Sequence, residues 1–169
     1  MSNEKLTRGT GLSSVIDKLA ALLPGYRGYK AREAARNDDK LLRDRICFDL
    51  TNSLHQLKKH KEASLQQQGA LSLGPWSKAE RRLQELEVKF RSSHGLYDGF
   101  MSSTNSDAEL QERLIKADEA CVDLASEVAK GLEALEKPAN VDAITSLVDA
   151  LEQAFSQRAE ILTVRGESA

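Results

Sequence analysis

From Tyr29 to Gln68 the chain passes 40 residues without a glycine or a proline. An uninterrupted run of that length, with no alternation of apolar and polar residues, predicts one very long helix. Leu42, Ile46, Leu50, Leu54 and Leu57 fall within about a third of its circumference at 3.6 residues per turn. Ala34, Leu41 and Phe48 form a second line, spaced seven residues apart and roughly opposite the first. A helix with two apolar lines touches two neighbours, or one neighbour and a second copy of the chain.

The rest of the sequence supplies helices to pack against it. Leu12, Val15, Ile16, Leu19, Leu22 and Leu23 make one apolar stripe and predict a short amphipathic helix over 13–23, after a flexible N-terminus over 1–11. Ser14 and Asp17 would stand at its start as a cap and a first-turn acid. Pro24-Gly25 stops it, because proline fixes φ and glycine supplies the positive φ of a type II turn. A third helix is expected over 75–101, with Ser77-Lys78-Ala79-Glu80 as its capping box and Trp76, Ala79, Leu83, Leu86 and Phe90 on its inner face. It is taken to run through Ser92-Ser93-His94-Gly95, although Gly95 and Gly99 each cost ~1 kcal/mol against alanine. A break at His94-Gly95 is the competing view.

A second capping box, Ser106-Asp107-Ala108-Glu109, opens a fourth helix over 106–136. Its seam is Leu110, Leu114, Ala117, Cys121, Leu124, Val128 and Leu135, and Gly131 on that seam allows a neighbour to approach closely. Asn140 would cap a fifth helix over 140–165, with Val141, Ile144, Val148, Leu151, Phe155 and Leu162 inward. Short connections join antiparallel neighbours. The expected fold is therefore all-α: an elongated up-down four-helix bundle, about 40–55 Å long at 1.5 Å per residue. Its packing is coiled-coil-like, with the short first helix on a side or an end, and residues 12–165 form one domain.

Composition excludes several chemistries. Two cysteines with no CxxC spacing suggest a reduced, cytoplasmic protein, and the N-terminus lacks the parts of a signal peptide. No apolar stretch is long enough for a membrane span. A di-iron bundle needs Glu-x-x-His pairs, but Asn52, Leu57 and Arg91 stand three residues before His55, His60 and His94. His55 and His60, five apart, point to different faces, so each histidine is expected at the surface. Nucleotide-binding glycine motifs are absent, Cys47 and Cys121 lie on or beside apolar seams, and no metal or cofactor is expected.

Charge is divided unevenly along the chain. Residues 1–104 carry 18 Lys and Arg against 12 Asp and Glu, whereas residues 105–169 carry 6 against 14. The two halves can neutralise each other across the bundle, or the basic half can meet an anionic partner. Arg32, Arg36, Lys40 and Arg43 form a basic stripe that Glu119, Asp123 and Glu127 of the fourth helix could answer. Just before it stands Leu23-Pro24-Gly25-Tyr26-Arg27-Gly28-Tyr29-Lys30-Ala31-Arg32. Turn chemistry explains its Pro24-Gly25 but asks for none of Tyr26, Arg27, Tyr29, Lys30 and Arg32.

Residues 23–46, LPGYRGYKAREAARNDDKLLRDRI, resemble the opening of a group of uncharacterised bacterial helical proteins with an LPGY-x-GYK start and a charged long helix. The resemblance implies that Pro24, Gly25, Tyr26, Gly28, Tyr29 and Lys30 form a family motif, and it implies no activity. The expected function is that of a non-enzymatic scaffold or adaptor acting through a protein partner or as a homodimer. Its candidate surface is Tyr26, Arg27, Tyr29, Lys30, Arg32, Arg36, Leu41 and Phe48. The alternatives are an anion-binding module for nucleic acid or acidic lipid at the basic start of helix two, and a small-molecule enzyme built on a buried polar cluster.

Overall fold

A computed structural model describes residues 3–30, 32–95, 108–135 and 141–163, with the backbone alone for 3–10, 32 and 33. The helices are α1 (Asn3–Leu22), α2 (Arg32–Gln68), α3 (Leu73–Ser92), α4 (Ala108–Glu133) and α5 (Val141–Thr163). No strand occurs among the described residues. The last four form an up-down bundle in which α2 borders α3 and α4, and α5 borders α3 and α4. Helix α1 lies against α4.

Each inner face follows from apolar spacing. Leu42, Ile46, Leu50 and Leu57 are fully buried, as are Leu83 and Phe90 on α3. The ring of Phe90 meets that of Phe155 on α5 edge to face, with centroids 4.7 Å apart. Gly131 serves the α4–α5 contact, although what approaches it is side chains: a Cβ there would stand 3.1 Å from Ile144 Cδ1.

Several boundaries differ from expectation. Helix α1 begins at Asn3, inside the segment expected to be flexible. No proline lies in that stretch, and its two glycines cost only ~1 kcal/mol each. Ser14 and Asp17 are therefore within the helix and do not open it. Helix α2 starts at Arg32, three residues later than expected, because Gly28 and Tyr29 have φ of 71° and 61°, which no helix accommodates. Helix α3 starts at Leu73 with Ser72 in the cap position, ahead of the expected Ser77 box. Pro75 then falls in the first turn, where its missing N–H costs nothing.

At its other end α3 stops at Ser92, and Ser93 is a turn whose N–H and hydroxyl both donate to Phe90 O. The expected continuation is thus interrupted at Ser93, and residues 96–101 lie outside the described residues. So do Ser106-Asp107 and Asn140, the expected caps of α4 and α5.

Cations of the first half meet acids of the second across the bundle. Lys18 Nζ lies 3.0 Å from Glu119 and 2.6 Å from Asp123, Lys89 lies 2.9 Å from Glu152, and Arg82 pairs with Asp149 and Glu152. Glu119 and Asp123 are therefore answered from α1, not by the basic stripe of α2.

The link after α1 turns tightly at Gly28. A Cβ on Gly28 would stand 3.0 Å from Ile16 Cδ1 and 3.4 Å from Ile115 Cδ1, at a positive φ. Gly28→Ala therefore combines a strained backbone with a clash inside the α1–α4 contact. It is expected to lower stability by more than about 1 kcal/mol in urea unfolding.

Candidate functional site

Of the residues that turn chemistry left unexplained, Tyr26 and Tyr29 are explained by two aspartates. Asp38, on the first turns of α2, accepts the N–H of Arg27 at Oδ1 and that of Tyr29 at Oδ2, both at 2.8 Å. This carboxylate gathers the amides of Arg27 and Tyr29 and holds the left-handed conformation of Gly28 and Tyr29. Burial pushes its carboxyl above the ordinary range, against the pull of those amides.

Asp118, buried in the middle of α4, receives both phenols. Tyr26 donates to Oδ2 at 3.0 Å, and Tyr29 donates to the same oxygen. The two rings meet edge to face at 5.9 Å, and each residue is only 3% exposed. Tyr26 and Tyr29 were expected on an interaction surface; they belong to the core, because each phenol has a buried carboxylate to satisfy it.

Opposite the tyrosines stands Arg158 of α5, 1% exposed. Its Nε donates to Asp118 Oδ1 and its Nη2 to Asp39 Oδ1, each at 2.7 Å. Asp39 Oδ2 in turn accepts Arg43 Nε at 2.9 Å. The result is a chain of groups, Tyr26 and Tyr29 to Asp118, Arg158, Asp39 and Arg43, that crosses the bundle with two carboxylates balanced by two guanidiniums. Burial works against the charge of Arg158, but Asp118, Tyr29 and Asp39 hold its protonated form well above the ordinary arginine range. Desolvation first, and then the Asp118 charge, drive both phenol pKa values upward. Cys121, next to this cluster, is pushed up to about 12 by burial and is an inert thiol.

The outer end of the network opens on the surface. Arg43, Asp44, Cys47, Phe48, Thr51 and Arg91 line a shallow depression of about 410 Å³ between α2 and α3. Phe48 is 62% exposed beside it, and Val88 of α3 is 63% exposed. Thr51 Oγ1 donates to Cys47 O at 2.8 Å and lies 3.1 Å from Glu87 Oε1, and Arg91 Nη2 donates to the same Glu87 oxygen at 2.6 Å. The Cys47 thiol is pushed up by burial, although Arg91 opposes the shift.

The other expected surface residues are dispersed. Arg27, Lys30 and Arg36 are exposed, and the side chain of Arg32 lies outside the described residues. Leu41 is half-buried against the core and lies under the Gly25 turn, so of the second apolar line only Phe48 faces solvent. His60, expected at the surface, is half-buried; it stacks on Trp76 at 5.8 Å, with Nε2 2.6 Å from Leu132 O.

The pairing of Asp39 with Arg43 is readable from their i,i+4 spacing, whereas Asp118, Arg158 and the burial of Asp39 are not. Each continues an apolar seam: Asp39 precedes Leu42 by three, Asp118 follows Leu114 by four, and Arg158 follows Leu151 by seven. Charged residues of opposite sign at seam positions of separate helices were the available signal.

Comparison with known proteins finds no family model, curated protein or solved structure that matches this chain.

Two outcomes test the network. Arg158→Met leaves Asp118 buried without a cation and Asp39 with Arg43 alone, and is expected to cost about 3–5 kcal/mol in urea unfolding. The tyrosines give a pH signature. Their folded-state pKa values lie above the ordinary value of 10.0, so their stabilisation is fully present below pH 10.0 and is lost as pH rises beyond it. Tyrosinate absorbance from Tyr26 and Tyr29 is expected only together with loss of helical circular dichroism.

Proposed function

We propose that this chain is a non-enzymatic helical bundle that acts through protein contacts, as a scaffold or adaptor, with its contact surface on α2 and α3 around Phe48. The observation that carries this reading is the exposure of Phe48, 62%, beside a depression edged by charged side chains. Burying such a ring against a partner is worth about 1.5–3 kcal/mol, and a polar rim around an aromatic centre is the usual anatomy of a contact surface.

The buried cluster supports the same reading. A small-molecule enzyme built on it would need an acid or base with a free atom facing substrate. Every carboxylate oxygen of Asp118 and Asp39 already accepts a hydrogen bond from this chain, and both phenols already donate. The cluster does structural work, and function is left to the surface. Both cysteines are free thiols, which suits the cytoplasm.

Pull-down from the native host tests the proposal. Phe48→Glu is expected to lose the partners of the unaltered chain while keeping its helical circular dichroism. Undiminished capture by Phe48→Glu would refute the reading. Binding that falls steeply with salt and is lost on charge reversal at Lys30 and Arg36 would favour nucleic acid or acidic lipid instead.

A further inference from the structure

The Phe48 face carries its own complement. We infer that it binds a second copy of this chain, with α2 of each copy lying along α3 of the other about a two-fold axis parallel to the bundle. The inference rests on the Phe48 face being the contact surface.

Levels along the bundle decide the geometry. Arg43 Nη1 reaches Arg91 O, and Cys47 Sγ lies 3.8 Å from Glu87 O, so residues 43–44 of α2 are level with 91 of α3, and 47–48 with 87–88. A two-fold axis running between α2 and α3 keeps every level and exchanges the two helices. It sets Phe48 of one copy against Val88 of the other, and Asp44 against Arg91, and repeats both pairings by symmetry.

All four residues are suited to this. Phe48 and Val88 are the large hydrophobics most exposed along the flanks of α2 and α3, at 62% and 63%. Asp44 is exposed and makes no hydrogen bond or ion pair among the described residues. Arg91 is 70% exposed; its Nη2 is held by Glu87, and its guanidinium also meets the Cys47 thiol. Each copy thus offers one open carboxylate, one largely open guanidinium and two uncovered apolar groups at matched heights. An antiparallel crossing of α2 on α2 would bring Asp44 level with Asn52 and leave both Asp44 and Val88 unanswered.

Charge exchange is the decisive experiment. Sedimentation from about 10 µM to 1 mM, the range of weak interfaces, is expected to show a monomer–dimer equilibrium for the unaltered chain. Asp44→Arg or Arg91→Asp alone should abolish the dimer, and both in one chain should restore it, because each pair is then only reversed. Circular dichroism checks that all variants are folded. An unaltered chain that stays monomeric, or a double variant no better than the singles, overturns the inference.

Disulfide trapping fixes the orientation. With Cys47→Ala in both, a chain carrying Phe48→Cys should cross-link to one carrying Val88→Cys. Cross-linking of Phe48→Cys chiefly to itself overturns the parallel arrangement. A monomeric chain whose host partners are still lost on Phe48→Glu removes the second copy and leaves the contact surface standing.

Discussion

Arg158 is a charged group that has been taken out of water, and the rest of the fold is arranged to compensate for it. A guanidinium in a helical core is tolerated only where carboxylates meet it in the right plane. Asp118 and Asp39 do so from two different helices, each at 2.7 Å. The fork geometry of the arginine therefore fixes how α2, α4 and α5 sit relative to one another.

The same constraint explains the link between α1 and α2. Asp118 has lone pairs left after Arg158 is satisfied, and in the core these need donors. Tyr26 and Tyr29 provide them, but both can reach one oxygen only if the backbone between them turns sharply. Gly28 makes that turn, Tyr29 adopts a left-handed φ of 61° to follow it, and Asp38 holds the amides that result. The conspicuous tyrosines and glycines of this segment are thus consequences of a charge placed on a distant helix.

The fold class was legible because it depends on periodicity, which a single sequence displays. Leu42 through Leu57, Trp76 through Phe90 and Val141 through Leu151 lie inward as their spacing requires. The centre of the molecule was not legible, because an apolar seam shows itself in its hydrophobic residues, and Asp118 or Arg158 stands in it as an interruption. Which charges face each other depends on the rotation and height of separate helices, and that follows only from tertiary packing. Tyr26 and Tyr29 were misplaced for the same reason: their burial depends on a carboxylate 89 residues or more away. Phe48 was legible, since a lone aromatic opposite a complete apolar stripe has no seat inside.

Balanced pairing in the core also governs how such a chain can diverge. Asp39, Asp118 and Arg158 cannot be exchanged one at a time, since each single loss strands a charge in the interior. Replacement of the whole set by apolar residues of similar volume is far less costly. Descendants of this sequence should accordingly keep the three residues together with their tyrosines, or have given up all of them. Co-inheritance of positions 26, 29, 39, 118 and 158 would mark true kin more reliably than overall identity among leucine-rich helices, whose resemblance arises by chance.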